Sequence, residues 1–153
     1  MVVREIAARD AKSLSPDADL ASAAKIMWDC DCGAVPVVNE DRRVVGMVTD
    51  RDICIAAATR AAVPSSIPVR DVMSREVASC KADDDVRNAL KTMKERRIRR
   101  LPVLDSDGRL SGMLSINDLV MRTDTRAGAA VPGELFLDTL KAISAHTHEP
   151  ASA

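Results

Sequence analysis

The chain has 153 residues, 46% of them hydrophobic and 29% charged, which suits one compact domain or two small ones with a real apolar core. Its 22 basic and 23 acidic side chains nearly cancel, and this excludes a broad electrostatic nucleic-acid binder. One Trp, one Phe and no Tyr exclude an aromatic stacking platform for single strands, so the core has to come from Ala, Val, Leu, Ile and Met.

A strand-like lead-in runs from Ser13 to Pro16. Asp17 is the predicted N-cap of a helix that carries Leu20, Ala23, Ala24 and Met27 at helical spacing. Gly33 is expected to close it. A strand is predicted at Val35 to Val38, a turn at Asn39-Glu40-Asp41-Arg42, a second strand at Val44 to Val48, and a helix from Thr49. Residues 63–68, Val-Pro-Ser-Ser-Ile-Pro, read as a linker. The same order then returns: lead-in Ser79 to Ala82, N-cap Asp83, and a helix with Val86, Ala89, Leu90 and Met93. Strands at Leu101 to Leu104 and Arg109 to Leu114 follow, around the turn Asp105-Ser106-Asp107-Gly108, and a helix starts at Ser115. Residues 127–132 are small and predicted flexible, 132–145 form an amphipathic helix, and 146–153 are predicted disordered.

The recurrence is a true repeat. Shifted by 66 residues, positions 3–62 match 69–128 at 19 of 60 sites without a gap. The predicted organisation is therefore repeat 1 at 1–62, linker 63–68, repeat 2 at 69–126, then the terminal helix. Apolar strands beside amphipathic helices give an α/β (α+β) class, with a small sheet covered by helices in each repeat.

No apolar run is long enough for a membrane span, and Met1-Val2-Val3-Arg4-Glu5 lacks the apolar core of a signal peptide. A cytoplasmic location with no membrane partner is the expectation. Cys30, Cys32, Cys54 and Cys80 are then expected to be reduced thiols. Cys30 and Cys32 form the only close pair. Without a second pair, plain thiols rank ahead of a redox or metal role.

Gly-x-x-[Ser/Thr]-x-x-Asp occurs twice, as Gly46 to Asp52 and Gly112 to Asp118. It reads in two ways. A hydroxyl at the N-cap with an acid three residues on is a capping box that needs no ligand. The same helix N-terminus also offers N–H groups, a hydroxyl and a carboxylate to a phosphate or a vicinal diol. The run Arg96-Arg97-Ile98-Arg99-Arg100 is a solvated helix end, a phosphate anchor or, last in rank, a nucleic-acid contact. Met27, Met47, Met93 and Met113 read as core fillers. No Cys–His or Ser–His pair can be assembled within the repeats, and no Walker loop is present. The chain is expected not to be an enzyme.

The stretches C-G-A-V-P-V-V-x(6)-V-G-M-V-T-D-R-D-I and R-R-L-P-V-L-x(5)-L-S-G-M-L-S-I-N-D-L resemble the cystathionine-β-synthase (CBS) domain, and the tandem pair resembles a stand-alone Bateman module. The resemblance covers residues 1 to about 125. It implies two three-stranded sheets, each with two helices, packed about a pseudo-twofold axis with two clefts between them. It implies an adenosyl ligand (AMP, ADP, ATP or S-adenosylmethionine) and a regulatory role exercised through a homodimer and a protein partner. Carried over by position, Thr49, Asp52, Ser115 and Asp118 would hold ribose or phosphate oxygens. Arg99 and Arg100 would face phosphate, and Ala34, Val35, Val72 and Val77 would lie against adenine. Gly33 and Ala34 stand where the first repeat would need its basic pair, so the expected sites are unequal, with the stronger one beside Asp118.

Overall fold

The structure, a computed structural model, describes residues 1–124 and 131–145. The predicted tail 146–153 and most of the predicted flexible segment 127–132 lie outside them. Elements follow in the order β1 (Ala8–Arg9), α1 (Leu20–Asp29), β2 (Ala34–Val38), β3 (Val44–Thr49) and α2 (Asp50–Arg60). The second repeat gives β4 (Cys80–Lys81), α3 (Val86–Arg96), β5 (Arg100–Leu104), β6 (Leu110–Ser115) and α4 (Ile116–Val120). Two short strands, β7 (Thr123–Asp124) and β8 (Val131–Pro132), precede the terminal helix α5 (Gly133–Ser144).

β2 and β3 form an antiparallel pair, as do β5 and β6, with equivalent registers: Pro36 opposite Met47, and Pro102 opposite Met113. β4 adds to β5 in parallel. Its counterpart in the first repeat is a single parallel bridge from Leu14 to Val37. The second repeat so builds its expected three strands, while the first has two, with that bridge in the place of the third.

A fourth strand comes from the other repeat. β1 pairs with β6 through Ala8–Met113 and Arg9–Gly112. The equivalent Ser74 bridges Met47 of β3 in the opposite direction. The lead-ins thus cross between halves. Val3 N donates to Asp84 O at 3.0 Å, and its counterpart Val69 N donates to Ala18 O at 2.7 Å. Val3 is fully buried in the second core, with Leu90, Met93, Leu101 and Leu114, while Val69 is fully buried in the first, with Leu20, Val35, Val37 and Val48. Two ion pairs repeat the exchange at the surface, Arg4 with Asp83 and Arg70 with Asp17.

This explains a shift in the helix starts. The N-caps are Asp19 and Asp85, not Asp17 and Asp83. Ser22 N donates to Asp19 Oδ1, and Arg87 N to Asp85 Oδ1, each at 2.8 Å. Asp17 and Asp83 are held by the other half's arginines instead. α1 ends at Asp29, and Asp31 turns left-handed (φ 47°). Gly33 does not close the helix: a Cβ there would meet Asp50 Oδ2 at 2.8 Å.

α5 packs on α3 through Phe136 and Leu135, with Lys94 beside Asp138 at 3.7 Å. Leu90 and Leu119 are fully buried in that half. Among the described residues the first half has no such cover. Ala24 at the position of Leu90 is exposed, Ile53 at that of Leu119 is half-buried, and the neighbouring Trp28 is 87% exposed. Among the described residues no helix is long and apolar enough to cross a membrane.

Candidate functional site

β3 and β6 each run straight into a helix, and the hinge residue caps it. Thr49 N and Oγ1 donate to Asp52 Oδ2 at 2.9 and 2.7 Å, and Asp52 N donates back to Thr49 Oγ1 at 3.2 Å. Ser115 and Asp118 repeat this at 2.7, 2.7 and 3.2 Å. Both capping boxes are complete. They use one carboxylate oxygen only, and Oδ1 of each aspartate accepts no bond among the described residues.

Two cavities open where the lead-ins cross the sheets. The smaller, about 320 Å³, is walled by Ala8 to Lys12 of the first lead-in, Ala34, Val35 and Pro36 of β2, and Met113, Ser115, Asn117 and Asp118. The larger, about 540 Å³, is walled by Ser74, Glu76, Val77 and Ala78 of the second lead-in, by Pro102, and by Met47, Thr49, Asp50 and Arg51, with Ile143 of α5 at its edge. The repeat shift of 66 residues relates these walls: Ala8 to Ser74, Ala11 to Val77, Met113 to Met47, Ser115 to Thr49. Each cavity is therefore assembled from both repeats.

Of the expected positions, Ser115, Asp118, Arg100, Ala34 and Val35 meet in the smaller cavity. Thr49, Arg99, Val77, Arg100 and Ala34 meet in the larger. Two positions fall outside both. Asp52 and Val72 line a separate depression of about 250 Å³ with Thr59, Arg60 and Asp71. The difference between Asp52 and Asp118 has a local cause. Asp50 stands at the larger cavity's wall, its carboxylate over Gly33. Its counterpart Ile116 packs on the second core, which leaves Asp118 at the wall. Val72 packs under the first core, where the lent segment enters it.

The cations also divide differently from the expectation. Arg99 faces the larger cavity, not the one that contains Asp118. Arg51, Arg97 and Arg100 join it there, against Asp50 and Glu76, and Arg96 holds Glu76 at 3.2 Å. The smaller cavity balances Arg9, Lys12 and Arg100 against Asp10, Asp31 and Asp118. None of these six arginines and lysines has an ion pair among the described residues. Arg9 and Lys12 escape the sequence reading because they belong to a site only once the lead-ins cross, whereas Arg51 and Arg97 lie within the motif and the basic run that it singled out, where only other members were named as ligand contacts.

Cys30 and Cys32 also line the smaller cavity. Burial pushes the Cys32 thiol up, while the Ala34 amide and the Arg100 charge pull it down. Among the described residues no group of three His, Cys, Asp or Glu could hold a metal ion.

The CBS-domain family model matches residues 3–58 and 69–123. MK0525 of Methanopyrus kandleri, an uncharacterized protein, is 34% identical over 118 residues, which are 77% of this chain and 60% of that protein. The CBS domain-containing protein YhcV of Bacillus subtilis is 31% identical over 131 residues, 84% of this chain and 91% of that one. Among solved structures, the CBS domain pair of protein MJ0100, in complex with 5′-methylthioadenosine and S-adenosyl-L-methionine, superposes with a TM-score of 0.71 at 24% identity, over 79% of this chain and 94% of that one. Two matched segments, 66 residues out of step and folded about one shared pair of cavities, make this chain a tandem pair within the CBS-domain family.

Proposed function

We propose that the chain is a non-enzymatic regulatory module that binds an adenosyl ligand (AMP, ADP, ATP or S-adenosylmethionine) between its repeats. The observation that carries this reading is the pair of symmetry-related cavities. Each ends on a helix N-terminus with a hydroxyl and is lined by cations with no ion pair among the described residues. Their volumes fall within or near the usual range for small-molecule sites. Backbone N–H groups and unpaired guanidinium groups favour an anionic oxygen. The excess of arginine in the larger cavity favours a nucleotide phosphate over a sulfonium. A protein of the same fold, MJ0100, is in complex with adenosyl ligands. Ser115 and Thr49 then hold ribose or phosphate oxygens, Asp118 offers its free Oδ1 to a ribose hydroxyl, and Ala34, Val35 and Val77 form the apolar wall for adenine.

Ligand binding acts on a protein partner only through a difference in affinity between two states of the module. The crossed lead-ins give such a ligand contacts in both halves at once. The assembly we infer is a homodimer in the cytoplasm. It is joined through the open α1–α2 face around Trp28, because α5 covers the equivalent face of the second half.

Isothermal calorimetry with AMP, ATP, S-adenosylmethionine and adenosine tests the ligand reading, and saturable binding of at least one is the expected result. A second reading has one observation in its favour: both capping boxes are complete without a ligand. On that reading the clefts are degenerate and the module serves assembly alone. Absence of binding by all four compounds, with the dimer intact, would select it.

A further inference from the structure

The two cavities share a wall. They meet at the first residues of β2 and β5, where Ala34 and Arg100 line both. These residues are counterparts under the repeat shift. Ala34 offers a methyl group. Arg100 is the only cation that the two cavities have in common among the described residues. It is half-buried, and no ion pair or hydrogen bond there holds its guanidinium. We propose that Arg100 is one phosphate anchor shared by two sites, so that an anionic ligand in one cavity weakens the binding of an anionic ligand in the other. This rests on the adenosyl-ligand reading and names how its two sites are regulated.

Two physical effects give the coupling the same sign. A guanidinium binds a phosphate best when its planar fork spans two oxygens. Committed to one phosphate in that geometry, it is lost to the second. Two phosphates drawn toward the same residue also repel each other, and in a partly buried site solvent screens that repulsion poorly. The charge of Arg100 is felt at Cys32 on the smaller cavity's wall, while Arg99 beside it lines the larger one. The guanidinium is therefore within electrostatic reach of both. Each cavity also has cations of its own: Arg9 and Lys12 in one, Arg51, Arg97 and Arg99 in the other. The rival is that these suffice and the sites fill independently.

Intrinsically unequal sites would also give two affinities, so the experiment has to isolate the coupling. Ala11 and Val77 are equivalent wall positions, one per cavity. Ala11→Trp plugs the smaller cavity and Val77→Trp the larger. Met113 and Met47 likewise line one cavity each, so their methyl NMR signals report which cavity fills and that the fold is kept. AMP and adenosine are titrated into the full-length parent and both plugged variants. For AMP, the product of the parent's two dissociation constants is expected to exceed the product of the two single-site constants roughly tenfold or more. For adenosine the ratio is expected near one. Arg100→Ala, which needs no plug, is expected to weaken AMP in both cavities and leave adenosine unchanged. An AMP ratio near one overturns the shared anchor, as does an Arg100→Ala effect confined to one cavity. Adenosine binding with an AMP ratio near one leaves the ligand reading standing, whereas no binding of either compound removes both.

Discussion

Cys80 is 5% exposed, and burial followed by the nearby Asp84 charge pushes its thiol up to about 12 from an ordinary 9.0. The folded state therefore keeps this proton after the unfolded state has lost it. The stabilisation is full below about pH 9 and is lost as pH rises toward 12, by roughly 1.4 kcal/mol per pH unit. Denaturant melts across that window should show this slope, and Cys80→Val should flatten it. Cys30 and Cys54 are exposed and Cys32 half-buried. In a native thiol titration Cys30 and Cys54 should react first, Cys32 slowly, and Cys80 only after unfolding. Asp118 tests the ligand geometry at the same scale. It stands at a cavity wall and Asp52 does not, so Asp118→Ala should cost AMP affinity roughly tenfold to a hundredfold, as for hydrogen bonds to a charged group. Asp52→Ala should leave AMP affinity nearly unchanged. Equal calorimetric losses in the two variants would refute this assignment.

Secondary structure was largely legible because each signal was local. Short apolar runs bounded by turn residues gave the strands, the helical spacing of Leu20, Ala23 and Met27 gave α1, and the Ser/Thr-x-x-Asp boxes gave the starts of α2 and α4. Helix ends were harder to read. α2 and α3 stop at Ala61 and Arg97, both left-handed (φ 49° and 54°) with no glycine to announce them. An L side chain there costs roughly 1–2 kcal/mol, so Ala61→Gly should stabilise the chain by about 1 kcal/mol in chemical denaturation. The motif glycines have a purpose that the motif hid. A Cβ on Gly112 would meet Ala8 O at 2.5 Å, and one on Gly46 would meet Met73 Sδ at 2.5 Å and Ser74 O at 3.0 Å. Each glycine marks the place where the other half's lead-in crosses its strand. Gly112→Ala should push β1 off β6 at a cost of about 1–3 kcal/mol, read as a lower melting midpoint. The candidate site was only half legible for the same reason. Its hydroxyls, Asp118 and Arg51 lie in a repeated motif, but Arg9 and Lys12 reach it through chain crossing, which leaves no local pattern.

The dimer proposed above would take its interface from the unequal treatment of the two helical faces. α5 seals the second half, and Trp28 stands out beside an open apolar groove on the first. Knob and hole lie side by side on one face, the self-complementary arrangement that a twofold interface needs. Sedimentation at micromolar concentration should show a dimer. Trp28 is the chain's only tryptophan, so its emission should shift to the red as dilution separates the copies, and Trp28→Ala should shift the balance toward monomer. A dimer whose emission ignores dilution would place the interface elsewhere. The crossed lead-ins reach further still, to the origin of the fold. A single repeat on its own lacks one strand and one core valine, and a second copy of itself could supply both. The tandem chain is thus the covalent form of an exchange that two half-length copies would make between molecules. Severed near residue 66, each fragment should be unfolded by circular dichroism wherever sedimentation shows it monomeric, and mixing the two in equal amounts should recover the native spectrum. A folded monomer of either fragment would show that the loan of residues 3–9 and 69–74 is ornament rather than structure.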